Sequence, residues 1–308
     1  MLTFLTTAKP FVGHSGITQR NALKSWKLLH PDVEVILFGD EEGAAEVCAE
    51  FGLRHEPEVE RHESGMKFLD HMVASAQHIA LHNYLCYSNC DIVLMDDFWR
   101  AFEKAVAWRK RFLLVAQRWD TDVTVPINFD SREWKRDLRR LALTTGVHQH
   151  PNFVDFFVFP KGLYDYVPNL VVGRSYWDHW LVWKALSAGA PVLDCTAFVV
   201  PVHQNHEYKY HPKGKVGTSV DAVARRNLEL CGQGRQLRSI LDSTHKLTKY
   251  GRVRWTPFRR KLQELPAGAS IQRLWQSLLN KTFSLRSRVG LRRRTVEKML
   301  SHKNESPD

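Results

Sequence analysis

The sequence predicts an α/β fold in which a mostly parallel sheet is covered by helices on both faces. Short apolar runs alternate with stretches of helical length along residues 1–245. The runs are rich in β-branched and aromatic residues, which suit buried strands. The 308-residue chain is also 44% apolar, enough for a large core. Such alternation is typical of βαβ units, whose parallel strands lie between two helical layers.

The elements follow in order from the N-terminus. Residues Leu2–Thr7 form the first predicted strand, a helix containing Trp26 follows, and the apolar run 33–40 forms the second strand, so the chain opens with a β-α-β unit. Residues 120–152 look irregular except for a helix near 131–143, and could include a mobile loop. The other predicted elements are helices at 42–51, 66–82, 97–108 and 175–186 and strands at 84–94, 112–119, 152–160 and 191–196.

Composition excludes several classes of protein. The five cysteines are odd in number and scattered without a CxxC pair, so neither a disulfide framework nor a structural zinc site is indicated, and we expect a reducing compartment. The N-terminal stretch lacks the basic start of a signal peptide, and no apolar run approaches the roughly 18 residues of a membrane span. We therefore expect a cytoplasmic protein, either free or peripheral on the inner membrane face.

The basic residues are concentrated in a C-terminal extension, residues 246–308. It carries 16 Lys and Arg against 4 Asp and Glu, whereas residues 1–245 carry 28 against 29. Strand signals fade beyond about residue 245, and the interleaved apolar and basic residues predict amphipathic helices. The charge is consistent with a solvated extension or with binding to an anionic membrane surface. We expect no nucleic-acid partner, because no zinc-finger or RNA-recognition signature is present.

Polar residues follow several predicted strands. Thr6, Thr7 and Ala8 come at the end of the first strand, Asp40 ends the second, and the stretch YSNCDIVL brings Asn89 and Asp91 into the fourth. Ligands of parallel sheets bind beyond the carboxyl ends of the strands, so we expect these residues to converge there. A carboxylate in that position needs a partner such as a lysine, a helix N-terminus or a metal ion.

Three motifs together resemble those of one enzyme family. They are YSNCDIVL, SYWDHWLV and VHQNHEY. The sequence resembles nucleotide-diphospho-sugar glycosyltransferases of the GT-A fold, in particular bacterial members with W-D-[NH]-W-L and H-Q-N-H-[DE]-Y motifs. The resemblance covers residues 1–245, and implies a Rossmann-like GT-A domain there that transfers a sugar from a nucleotide-diphosphate sugar to a hydroxyl of a glycan or lipid-linked acceptor.

The resemblance implies a divalent cation, Mn²⁺ or Mg²⁺, that bridges the donor phosphates. In the family this cation is held by an acidic motif after the fourth strand and completed by a late histidine. Here the first acid of the motif is Asn89, so Asp91 is its only carboxylate, and His203 and His206 stand in the late motif. Asp91 could instead bind ribose or cap a loop, and the histidines could be structural or suit zinc.

The resemblance also assigns the nucleoside to the first-strand loop and to Asp40. Arg20 and Asn21 begin the first helix, where a cation and a helix N-terminus both favour a pyrophosphate. Alternatively, Asp40 only ends its strand in a turn, and Arg20 is solvated at the surface.

Asp178 is the predicted catalytic base of an inverting transfer. It lies among aromatic residues, which exclude water and raise the pKa of an enclosed carboxylate. Trp177, His179 and Trp180 around it are predicted to contact the acceptor or sugar. In a retaining enzyme Asp178 would bind the donor sugar instead. The structural alternative is that Asp178 caps a helix and the tryptophans are core residues.

A second hypothesis for the whole protein belongs to a different class. The chain could be a sugar-nucleotide or glycan-binding protein with a degenerate metal motif and no turnover. Slow hydrolysis of a donor in the presence of Mn²⁺ distinguishes the two, because hydrolysis requires a live site.

Overall fold

The computed structural model describes residues 1–206 and 218–256, all of which belong to one compact unit, Met1–Thr256. Its seven described α-helices are α1 (Gly13–Lys27), α2 (Ala44–Phe51), α3 (Leu69–Ile79), α4 (Asp96–Trp108), α5 (Trp134–Thr145), α6 (Trp177–Ser187) and α7 (Ala222–Leu230).

The described strands number thirteen and form two sheets. They are β1 (Leu2–Thr7), β2 (Glu34–Phe38), β3 (Arg54–Glu56), β4 (Tyr84–Ser88), β5 (Ile92–Val93), β6 (Leu113–Val115), β7 (Trp119–Thr121), β8 (Val147–His148), β9 (Phe156–Pro160), β10 (Val192–Asp194), β11 (Val202–Gln204), β12 (His245–Leu247) and β13 (Val253–Trp255).

The large sheet has nine strands in the order β13-β12-β10-β6-β9-β4-β1-β2-β3. Strand β9 runs antiparallel to β4 and β6, and the β12–β13 pair is antiparallel. The remaining pairs, including β1 with β2 and with β4, are parallel. The predicted α/β class with a mostly parallel central sheet is therefore confirmed.

Alternating side chains of the sheet enter two separate cores. On β1, Phe4 belongs to the core beneath α1, α2 and α4, whereas Leu5 belongs to the core beneath α3 and α6. Trp26 of α1 stacks on Phe4 with ring centroids 4.9 Å apart. Because both faces are covered, the strands read as nearly continuous apolar runs rather than as alternating ones.

The small sheet has the order β5-β11-β7-β8 and corrects two predicted strands. The strand predicted over 84–94 is broken at Asn89, whose carbonyl accepts a hydrogen bond from Ile92 N at 3.2 Å. The run 112–119 is likewise divided between β6 and β7. In both cases the apolar pattern continues across a change of sheet, so periodicity alone could not locate the break.

The large sheet also continues past residue 245, beyond the last strand that the sequence predicts. Strands β12 and β13 form its edge, and Thr256 N donates to Thr244 O at 2.9 Å. The prediction of helices over 246–308 is therefore wrong for residues 246–256, where Trp255 lies on β13, and its remaining part, 257–308, lies outside the described residues. Within the described part of the chain, no helix has both the length and the apolarity that crossing a bilayer requires.

Candidate metal and donor site

The segment Asn89–Asp91 lies at the edge of the large sheet where β1 and β4 end. These strands pair in parallel with Leu5 opposite Tyr87, so the residues after β1 lie beside the residues after β4. Asn89 N donates to Asp155 O at 2.9 Å, which extends the pairing of β4 with β9 by one residue. The Asp91 carbonyl then accepts from Gln204 N at 3.1 Å, so Asp91 faces β11.

This arrangement brings Asp91 together with His203 and His206. His206 Nε2 lies 3.1 Å from Asp91 Oδ2, and His203 Nε2 lies 3.7 Å from the same oxygen. One possible ligand atom from each of the three residues lies within 4.8 Å of those of the other two. His203 is on β11 and His206 follows that strand, so an extended segment brings the two rings to 5.4 Å.

The electrostatics of Asp91 favour the carboxylate form. Burial alone would raise its pKa, but the facing His203, then His206 and Lys9, lower the pKa of Asp91 below its usual range. Lys9 follows β1, and its backbone is held by the Gln19 side chain through bonds of 2.6 and 2.9 Å. Burial lowers the pKa of Lys9, and Asp91 opposes that change.

The residues fit a divalent cation. Asp91 Oδ1 is buried and has no hydrogen-bond partner among the described residues, and two imidazole nitrogens face the other oxygen of the same carboxylate. A carboxylate with two imidazoles is a ligand set that transition-metal ions accept. The predicted metal ligands Asp91, His203 and His206 are thus adjacent in the structure.

Asn89, which stands at the first acidic position of the motif, binds the carboxylate of Asp155 through its side-chain amide. Its Nδ2 donates to Asp155 Oδ1 at 2.6 Å, and its Oδ1 accepts from Tyr87 at 3.4 Å. Asp155 also accepts from Arg118 at 2.8 Å. The amide of Asn89 therefore ties the end of β4 to the start of β9, a role that an aspartate beside Asp155 would not fill.

Asp178 lies in the first turn of α6, next to Asp155 and Tyr87. Tyr176, the residue just before the helix, has φ +90°, a left-handed conformation that is uncommon outside glycine. Burial raises the pKa of Asp178; His179 opposes this increase, and Asp155 adds to it. A carboxyl group with a raised pKa suits proton transfer, and its catalytic role stays a prediction.

The two tryptophans beside Asp178 belong to the core, which corrects the prediction that they contact sugar. Trp177 is 6% exposed and packs edge-on against Tyr87, while Trp180 is 1% exposed. A ring enclosed on both faces has no surface left for a sugar to stack on. His179 is less buried, and its Nε2 lies 3.2 Å from Asn152 O, so a contact with substrate stays a prediction.

The residues after β1 have different surroundings. Thr6 is fully buried and its hydroxyl donates to Ser88 O at 2.6 Å, so it joins two strands instead of facing a ligand. Thr7 Oγ1 is buried and has no partner within the described part of the chain. The carbonyl of Ala8 accepts from Lys67 Nζ at 3.2 Å. Donor binding by Thr7 and Ala8 stays a prediction.

Two further predicted donor residues have protein partners. Arg20 pairs with Glu50 and lies 5.1 Å from the Phe51 ring centroid, both on α2. Asp40 is 71% exposed in its side chain and pairs with Arg61 at 2.5 Å. Their roles toward a nucleotide stay predictions.

Asn21 is 3% exposed and has a structural role. Its Nδ2 donates to Gln204 Oε1 at 2.9 Å, and its Oδ1 accepts from Ile127 N at 2.9 Å. With these bonds Asn21 steadies the residue that follows His203 in β11. This corrects the prediction that its amide approaches a pyrophosphate.

Among known proteins, similarity to this chain was found in solved structures. No protein-family profile and no curated protein sequence matches the chain. The structure is similar to glucosyl-3-phosphoglycerate synthase from Mycobacterium tuberculosis in complex with Mg²⁺ and uridine diphosphate, at 11% identity and a TM-score of 0.45, over 75% of this chain and 79% of that chain. It is also similar to S. aureus TarS in complex with UDP-GlcNAc, at 10% identity and a TM-score of 0.44, over 74% of this chain and 64% of that chain. Similarity at this level assigns neither an activity nor a ligand to this chain.

Four polar residues near the site were not predicted from the sequence. Arg118, Asp120, Gln149 and Asp155 form a network of hydrogen bonds and ion pairs that adjoins His203 and Asn89. The signal that could have found two of them is an acid beside or within a predicted strand: Asp120 directly follows 112–119, and Asp155 lies within 152–160, as Asp91 lies within 84–94. Arg118 and Gln149 lie in segments whose partners only the folded chain brings together.

Proposed function

We propose that this protein is a glycosyltransferase that uses a nucleotide-diphosphate sugar and a divalent cation. The observation that carries the proposal is the convergence of Asp91, His203 and His206 at the sheet edge where β1 and β4 end. Parallel sheets bind their ligands at this edge. The resemblance of the three sequence motifs to GT-A glycosyltransferases supplies the substrate class.

Asp91, His203 and His206 hold the cation in this proposal. When bound, the cation neutralises the donor diphosphate and stabilises the charge of the departing nucleotide. We favour Mn²⁺ over Mg²⁺, because Mg²⁺ prefers oxygen ligands whereas two of the three ligands are imidazoles. Lys9, whose charge acts on Asp91, adds a positive group beside the same edge.

Asp178 is the proposed base that takes the proton of the acceptor hydroxyl. Support comes from its raised pKa, which keeps it a stronger base than an exposed aspartate. Its neighbour Asp155 is already paired with Arg118 and Asn89, so Asp178 is the better proton acceptor of the two. The proposed acceptor is a hydroxyl of a glycan or a lipid-linked molecule.

A panel of sugar nucleotides tests the proposal. The protein is heated with each nucleotide in the presence and absence of Mn²⁺, since a ligand of the folded state raises the melting temperature. We expect stabilisation by at least one sugar nucleotide only when Mn²⁺ is present. If none stabilises the protein with either Mn²⁺ or Mg²⁺, the donor class is wrong.

Donor hydrolysis then separates an enzyme from a binding protein. We expect slow, Mn²⁺-dependent release of the nucleotide from the stabilising donor even without an acceptor. Binding with no turnover, with or without a panel of glycan acceptors, would instead support a non-catalytic sugar-nucleotide-binding protein.

A further inference from the structure

A chain of buried polar contacts connects the two ends of the Asn89–Asp91 segment. It runs from Asp91 to His203, then to Asp120, then through Arg118 and Asp155 back to Asn89. The steps measure 3.7 Å, 3.1 Å, 2.8 Å, 2.8 Å and 2.6 Å respectively. The arginine is shared between two carboxylates, so each carboxylate keeps an ionic partner.

The His203 ring stands between two carboxylates. Its Nε2 faces Asp91 Oδ2, and its Nδ1 faces Asp120 Oδ1. The distance of 3.1 Å from Nδ1 to Asp120 Oδ1 is within hydrogen-bond range, but the contact does not have the geometry of a hydrogen bond, and Nδ1 has no hydrogen-bond partner among the described residues. The interaction at Nδ1 is therefore mainly electrostatic, between the Asp120 carboxylate and a proton on Nδ1.

The backbone holds these two residues opposite each other. Strands β7 and β11 are parallel and pair His203 with Asp120 directly, so both side chains lie on one face of the small sheet. The Asp120 carboxylate is held on both oxygens: Arg118 Nε donates to Oδ1 at 2.8 Å, and Gln149 Nε2 donates to Oδ2 at 2.7 Å. The carboxylate thus has little freedom to turn away from the ring.

We propose that Asp120 is a positioning residue that prepares His203 for the cation. Its carboxylate keeps the ring proton on Nδ1, which leaves the lone pair of Nε2 on the side of Asp91. Histidines that bind metals commonly donate their other ring N–H to a carboxylate or carbonyl, and such partners fix both the tautomer and the ring orientation. The inference rests on the proposed cation site and adds a residue outside its three ligands.

The alternative is that Asp120 serves only as an ion-pair partner of the buried Arg118. In that case its loss would lower stability and leave the affinity of the protein for a cation unchanged. Asp120→Asn separates these roles, because it keeps the volume and can still accept from Gln149, while Arg118 retains Asp155.

The test measures Mn²⁺ binding to the full chain without nucleotide, by calorimetry or by electron paramagnetic resonance. We expect Asp120→Asn to weaken binding about 10- to 100-fold, the usual effect of losing such a partner. Asp130→Asn, which removes one charge from an exposed residue between β7 and α5, is the control and should bind as the parent does. The melting temperature of each metal-free variant is measured in parallel.

A double-mutant cycle with His203→Gln shows whether Asp120 acts through His203. We expect Asp120→Asn to have no further effect on Mn²⁺ affinity once His203 is replaced, because the coupled residue is gone. An equal loss in both backgrounds would overturn the positioning role.

Two other outcomes are equally decisive. Parental Mn²⁺ affinity in Asp120→Asn, whatever its melting temperature, overturns the positioning role and leaves the proposed function intact. Failure of the parent protein to bind Mn²⁺ overturns the cation site itself, and the role of Asp120 with it.

Discussion

His206 Nε2 lies 3.1 Å from the Asp91 carboxylate, although 115 residues separate the two in the chain. The contact forms because β11 pairs with β5, the short strand that follows Asp91, and so carries the late histidines to the end of β4. A buried carboxylate that faces two imidazoles on one oxygen, and whose other oxygen has no hydrogen-bond partner among the described residues, has the surroundings of a cation ligand.

Replacing Asp91 by asparagine should abolish the Mn²⁺-dependent stabilisation by a donor. The variant keeps the shape of the side chain but removes the charged ligand. Thermal unfolding with and without Mn²⁺ and donor measures the effect, and Asp96→Asn, an exposed acid at the start of α4, is the control. A full Mn²⁺-dependent shift in Asp91→Asn would remove Asp91 from the site.

Replacing Asp178 by asparagine should lower the transfer rate by about 10² or more while donor affinity changes little. Asparagine matches the shape of aspartate but cannot accept a proton. The measurement compares kcat with donor affinity in the same variant. Weakened donor binding with kcat preserved would place Asp178 in the donor pocket.

Asp178→Asn should also be more stable, relative to the parent, at neutral pH than at pH 4. Folding raises the pKa of Asp178 above about 3.9, the ordinary value for aspartate. As pH rises, the Asp178 carboxyl group therefore loses its proton in the unfolded chain before it does so in the folded protein. The folded protein binds more protons in that range, so its stability falls as pH rises through the two pKa values. The melting temperature of Asp178→Asn relative to the parent should therefore increase between pH 4 and pH 7.

An aspartate with the opposite shift serves as the control for this pH dependence. Lys184 lies 2.7 Å from the exposed Asp165 and lowers its pKa, so the carboxylate form is favoured by folding. Any change in Asp165→Asn should thus be a loss of stability above pH 4, and a small one, because the pair is exposed. Parallel behaviour of the two variants would argue against a raised pKa at Asp178.

Placing an aspartate at position 89 should lower the stability of the protein. Asn89→Asp replaces the donor to Asp155 by a like charge at a distance of 2.6 Å in the parent. We expect a loss of about 1–3 kcal/mol in the free energy of unfolding, the cost of an unmet buried hydrogen bond. Denaturant unfolding measures it, with Asn89→Ala as the comparison. Unchanged stability together with tighter Mn²⁺ binding would show that position 89 is a ligand position.

The basic extension gives a prediction about membranes. We propose that the part of the basic extension beyond β13, residues 257–308, with 12 Lys and Arg against 4 Asp and Glu, binds anionic lipid and holds the protein near a lipid-linked acceptor. Co-sedimentation with vesicles containing anionic lipid should recover the full chain and leave behind a version ending at Thr256, which retains the edge strands. Equal binding of both, or binding insensitive to salt and to anionic lipid, would contradict the proposal.

Most strands of the large sheet, and the helices that cover it, were predictable because their signals are local, whereas the short strands β3, β12 and β13 at its two ends were not predicted. Leu2–Thr7 and the apolar run that became Glu34–Phe38 read as buried strands from composition alone, and the alternation with helices implied a parallel sheet. Asp91, His203 and His206 could be selected as ligands because the sequence resemblance pointed to their motifs. The sequence by itself thus determined the fold class, the candidate cation ligands and the concentration of charge in the last 63 residues, 246–308.

The tertiary structure decided which of the other polar side chains face the site. Thr6 lies at the end of β1, as Asp91 lies just after β4, and Asn21 lies within α1, yet Thr6 and Asn21 are both buried with partners on other elements. Trp177 and Trp180 lie in the core because α6 packs its first turn against the sheet. The contact of Asp120 with His203 arises from the pairing of β7 with β11. The physical reason is that hydrogen-bond partners of buried groups come from distant segments, which local patterns in a sequence do not specify.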